Sequence, residues 1–107
     1  MWTKDDVAKV VADNKVVCFG KGSKQMPQCG FTMRAIQVLM QCNVPFEVVN
    51  IFDDASIRPA LVEFSSWPTT PQVFVDGEFI GGSDIVLELF QSGELQKKLE
   101  AVFTKQG

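Results

Sequence analysis

Apolar residues recur along the chain with two different periods, and the switches between them outline the elements. In WTKDDVAKVVADN, Val7, Val10 and Val11 form a helical stripe. Thr3 stands as N-cap, with Asp6 three residues on in the reciprocal position of a capping box. KVVCFG is a continuous apolar run that predicts a buried strand ending at Gly20, and KGSKQMPQ is a polar loop. From Cys29 or Gly30 to about Gln41 the helical period returns through Phe31, Ala35, Val38, Leu39 and Cys42, with Asn43 as a stop and Pro45 beyond it. PFEVVNI reads as a second strand. DDASIRPALVEFSS reads as a helix whose start is set by Pro59: lacking an N–H, it belongs in the first turn, which favours Ser56 as N-cap. In PQVFVDGEFIGG two strand-like runs flank Asp76-Gly77, the dipeptide favoured in type I′ hairpin turns. SDIVLELFQ and SGELQKKLEAVF close the chain as helices broken at Ser92-Gly93.

The order is thus α-β-α-β-α-β-β-α-α. A helix joins the first two strands, so they are expected parallel with a right-handed crossover, while the last two form a hairpin. The fold class is α/β: a four-stranded mixed sheet with helices on both faces, the thioredoxin-like arrangement. At 107 residues the chain has the length of one domain, expected to run over 1–107.

Composition narrows the function. Hydrophobic residues make up 46%, enough for a core, and the net charge of −3 comes without a block of like charges, so no nucleic-acid footprint is expected. No apolar run is long enough to span a bilayer, so no membrane is expected, and no secretory signal is visible; the chain is read as intracellular or already processed, with a removed transit peptide left open. Three cysteines, at 18, 29 and 42, fit neither a disulfide framework nor a zinc site and point to a reducing compartment. The chain has no histidine, which excludes Cys–His and Ser–His–Asp catalysis and histidine-ligated metals within it.

Cys29, in MPQCGFTMRA, falls at a predicted helix start, where free N–H groups and the helix dipole favour a thiolate; Lys21 and Lys24 add positive charge if the loop folds back. A Cys-x-x-Cys motif would carry a second sulfur at 32, where this chain has Thr32. Cys18, mid-strand, and Cys42, at a helix C-terminus, read as small core residues. In WPTTPQ, Pro71 is either an ordinary turn before a strand or a cis proline exposing the backbone of Thr70 to an extended peptide. IGGSDIV is a glycine turn with a serine or aspartate cap, an anion site at helix N–H groups, or both. Arg58 at a helix start is either solvated or a bidentate partner for a carboxylate.

Together, KGSKQMPQCGFT, the IR…L…SSWPTTPQ stretch, VFVDGEFIGGSDIV and SGELQ resemble a monothiol glutaredoxin of the Cys-Gly-Phe-Ser type, here Cys-Gly-Phe-Thr, in order and spacing from about Val16 to Leu99. The resemblance implies a thioredoxin fold that binds glutathione beside Cys29. It also implies a labile [2Fe–2S] cluster shared across a homodimer, held by the Cys29 thiolate of each protomer and the thiolates of two glutathiones. By position, Lys21 and Arg58 resemble the groups facing the glycine carboxylate of glutathione. Thr70, before Pro71, resembles the residue whose backbone pairs with the cysteinyl part. Gly82, Ser83 and Asp84 resemble the γ-glutamyl site, Phe31 borders the sulfur ligand, and Trp67-Pro68 shapes the loop before Pro71. The sequence departs from the pattern at several places. Thr32 replaces the usual serine, and Ser83 a frequent cysteine. Val62 replaces a frequent lysine, Gly20 an apolar residue, and Pro59 lies beside Arg58. The ligand is therefore expected to be glutathione or a related low-molecular-weight thiol.

The leading expectation is a carrier that passes its cluster to apo iron–sulfur proteins or assembly factors. The alternative is a glutathione-dependent oxidoreductase that uses Cys29 as nucleophile, for which glutathione itself serves as the resolving thiol; a silent interaction module ranks last. A mitochondrial matrix, a plastid or a bacterial cytoplasm are the expected settings.

Overall fold

The computed structural model describes residues 1–104. Five helices and four strands follow one another as expected: α1 (Lys4–Asp13), β1 (Val16–Gly20), α2 (Gly30–Gln41), β2 (Glu47–Asn50), α3 (Ile57–Ser65), β3 (Gln72–Val75), β4 (Glu78–Gly81), α4 (Ser83–Ser92) and α5 (Glu94–Thr104). The sheet order is β2-β1-β3-β4. β1 pairs with β2 in parallel, Cys18 opposite Val48, and with β3 antiparallel, Cys18 opposite Val73. The β3–β4 hairpin turns at Asp76 (φ 51°) and Gly77 (φ 83°), the two positive φ values that a type I′ turn requires.

Strand alternation divides the core in two. Val16, Cys18, Val73 and Val75 face α2, α4 and α5 through Ala35, Leu39, Val86, Leu95 and Leu99. Val17, Phe19 and Phe74 face α1 and α3 through Val7, Val11, Ile57 and Leu61. On that second face Phe74 meets three rings, Phe19, Phe64 and Phe79, at centroid distances of 5.8, 5.8 and 5.4 Å. Trp67 extends the cluster by packing on Phe79 at 5.9 Å.

Helix ends follow the sequence with informative exceptions. Thr3 and Asp6 form the reciprocal capping box. Asn43, in the left-handed region at φ 55°, lies just past the α2 C-terminus. Ser56 precedes α3 but makes no cap through its side chain: its hydroxyl donates to Asp54 at 2.6 Å and accepts the Trp2 N–H, which joins the N-terminus to this helix start. Gly82, rather than Ser83 or Asp84, is the N-cap of α4; Ser83 lies inside the first turn and is buried.

Because its ring sits between β1, α3 and β4, Phe74→Ala removes contacts that the surrounding layers cannot refill. It is expected to cost about 3–5 kcal/mol of unfolding free energy by urea titration. A loss below about 1 kcal/mol would show that this aromatic cluster does not carry the second core.

Candidate functional site

The carboxyl end of β1 and the start of α2 meet at one contact. A side chain at Gly20 would place its Cβ 2.6 Å from the Thr32 methyl and 2.9 Å from its hydroxyl oxygen, so only glycine permits this approach. Thr32 is fully buried, and its hydroxyl accepts the Lys21 N–H at 3.1 Å. Asn50, at the end of β2, accepts the Gly22 and Phe52 N–H groups at 3.0 and 2.9 Å. The 21–28 loop closes on itself through the Gln28 N–H to the Lys21 carbonyl at 2.8 Å. These ties fix Cys29, the N-cap of α2, beside Lys21.

Lys21, Cys29, Phe31, Arg58, Thr70, Pro71, Gly82, Ser83 and Asp84 all line one cleft of about 570 Å³, within the range of small-ligand sites. Four separate stretches supply them: the β1–α2 connection, the start of α3, the segment before β3, and the β4–α4 junction. The Thr70–Pro71 peptide is cis. The Arg58 guanidinium donates to the Pro68 carbonyl at 3.0 Å, and Asp84 pairs with Arg34 of α2 at 3.4 Å on the exposed rim.

Two sequence expectations change. Phe31 is not part of the packed stripe of α2: it is 57% exposed and lines the cleft beside Cys29, the place the family resemblance implied for it. Lys24 does not reach Cys29; its ammonium donates to the Phe46 carbonyl at 2.7 Å and lies over the Phe46 ring at 4.1 Å, on the β2 side. Sequence reasoning missed Thr69 and Ile85, which also line the cleft. Ile85 was detectable as an apolar residue in the first turn of α4 that lies off the buried stripe marked by Val86.

The three thiols sit in different surroundings. Cys29 is partly exposed and is held below the ordinary thiol range, first by the Thr32 backbone N–H and then by the Phe31 N–H, the Thr32 hydroxyl and the Lys21 charge. Burial pushes Cys18 up to about 12 and also raises Cys42. Cys42 ends α2, thirteen positions from Cys29 and so about 20 Å along the helix axis. No thiol of the chain is placed to resolve a disulfide on Cys29. Among the described residues no three histidine, cysteine or acidic side chains converge as a metal site, and no helix is long and apolar enough to cross a membrane.

The profile of the glutaredoxin family matches residues 16–80. The chain is 52% identical over 98 residues to an uncharacterised monothiol glutaredoxin, ycf64-like, of a Synechocystis strain, covering 92% of each. It is 50% identical over 97 residues to the chloroplastic monothiol glutaredoxin-S14 of Arabidopsis thaliana, covering 91% of this chain and 56% of that one. The solution structure of reduced poplar apo GrxS14 is similar at a TM-score of 0.82 with 50% identity, covering 94% of this chain and 93% of that chain.

Thiol reactivity should follow the surroundings. In iodoacetamide pulses across a pH series, read by peptide mass spectrometry, Cys29 should be alkylated at a lower pH than Cys42, and Cys18 only after unfolding. A Cys42 midpoint at or below that of Cys29 would contradict the assignment.

The glycine contact has its own test. Gly20→Ala should lose about 1–3 kcal/mol in urea unfolding, and Thr32→Ser in the same chain should restore part of it by removing the colliding methyl. Equal losses in the single and double variants would refute the contact.

Proposed function

The chain belongs to the glutaredoxin family, and from that premise we propose that it is a glutathione-dependent carrier of [2Fe–2S] clusters, delivering them to apo-proteins during iron–sulfur assembly. The observation that carries this reading is the isolation of the Cys29 sulfur: activated, open to the cleft, and without a second thiol of its own chain in reach. A dithiol would close on itself, whereas a lone thiolate is left free to ligate.

The cleft chemistry fits a tripeptide thiol. Lys21 and Arg58 supply positive charge for a carboxylate at one end. The N-terminus of α4, with Ser83 and Asp84, offers N–H groups for a second carboxylate and an acid for the amine beside it. The backbone at Thr70 faces the middle of such a ligand, and Phe31 flanks its sulfur. Each protomer then contributes one thiolate from Cys29 and one from its bound glutathione, so the cargo joins two copies of the chain. Because half of the ligands are exchangeable small molecules, the cargo can leave. The chloroplastic and bacterial relatives favour a plastid or a bacterial cytoplasm as the setting.

The lowered Cys29 thiol also favours a second reading, deglutathionylation. The Cys29 thiolate attacks the glutathione sulfur of a mixed disulfide and releases the substrate thiolate. A second glutathione thiolate then attacks the Cys29–glutathione disulfide, regenerating Cys29 and leaving oxidised glutathione.

Anaerobic incubation with iron, sulfide and glutathione should yield a chiral visible spectrum on a dimer in size exclusion. The spectrum should be lost in Cys29→Ser and kept in Cys18→Ser and Cys42→Ser. A colourless monomer that turns over a glutathione mixed disulfide would transfer the assignment to the second reading.

A further inference from the structure

Gln72, the first residue of β3, is a fully buried amide (0% exposed) in a position where the following residues of the strand are apolar. Strand alternation turns it to the same side as Phe74, toward α3. Its Nε2 donates to two carbonyls of the preceding segment, Trp67 at 2.9 Å and Thr69 at 3.0 Å. The carbonyl between them, Pro68, accepts from Arg58 at 3.0 Å. Three successive carbonyls are thus held alternately by the buried amide and by the guanidinium. The segment has no helix or strand of its own, yet it carries Trp67, Thr69, Thr70 and Pro71 into the cleft wall.

Among the described residues, Gln72 Oε1 is the buried side-chain polar atom left without a hydrogen-bond partner. Burying an unsatisfied acceptor is unfavourable, and an apolar side chain of similar length would avoid it. What such a side chain cannot do is turn the Trp67 and Thr69 carbonyls inward.

We propose that Gln72 is the positioning residue of this cleft: its buried amide holds the Trp67–Thr70 backbone in the one conformation that pairs with a peptide-like ligand. The proposal rests on the glutathione reading of the cleft and deepens it. Order in the empty segment spares the ligand the entropy of fixing it.

The test uses the full chain and Gln72→Met, an apolar replacement of similar length. Titration with glutathione, thermal unfolding and backbone ¹⁵N relaxation of the ligand-free proteins are measured side by side. The expected result is an unfolding midpoint equal to or above the parent, with roughly tenfold weaker glutathione binding and order parameters of residues 67, 69 and 70 falling below about 0.6. Unchanged affinity overturns the proposal. So does a variant that loses stability and affinity together or fails to fold, since the amide is then only structural. If the parent chain itself does not bind glutathione, the cleft reading fails; the relaxation data alone then decide whether Gln72 orders the segment, and unchanged order parameters overturn it.

Discussion

The close approach of Gly20 to Thr32 is the contact on which the site depends. It brings the first turn of α2 against the end of β1 with no side chain between them, and the Thr32 hydroxyl then takes the Lys21 N–H. From this one junction follow the place of Cys29, its nearness to Lys21 and the direction in which its helix presents N–H groups. A larger residue at 20 would push the helix, and Cys29 at its N-cap, away from β1 and Lys21. The methyl that distinguishes Thr32 from serine is the atom nearest to the missing Gly20 side chain. Two residues that look like unrelated departures along the chain are therefore one complementary pair in space.

The rest of the cleft is built by topology. The carboxyl ends of β1 and β2, the loop before β3 and the β4–α4 junction lie at one end of the sheet. β1 and β2 point the same way and the hairpin reverses, so this end gathers loops from distant parts of the sequence. The aromatic run from Phe19 through Phe74 and Phe79 to Trp67 connects the second core directly to the cleft wall.

Much of this was legible in the sequence because the signals were local. The Asp76-Gly77 turn, the Thr3 and Asp6 cap and the start of α3 at Ile57, with Pro59 in its first turn, each depend on residues within a few positions of one another. The cleft residues were legible only as members of a joint pattern; nothing near Arg58 alone distinguishes it from a surface arginine. What failed depended on where elements end in space. Phe31 obeys the helical period but turns to the cleft, and Lys24 finds the ring of Phe46, just before β2, which no spacing rule predicts. The partners of Gln72 are carbonyls whose directions exist only once the loop has folded.

The separation of the three sulfurs bears on oxidative damage. A sulfenic acid on Cys29 has no neighbouring thiol of its own chain with which to condense, since Cys18 is sealed in the first core and Cys42 ends the same helix. Further oxidant would drive it to sulfinic and sulfonic acids, from which ordinary thiols do not rescue it. A small thiol bound in the cleft as proposed would change that course: it would condense with the sulfenic acid, releasing water and leaving a reversible mixed disulfide. The proposed ligand site would thereby double as a safety device for Cys29, the open and activated cysteine of the described residues.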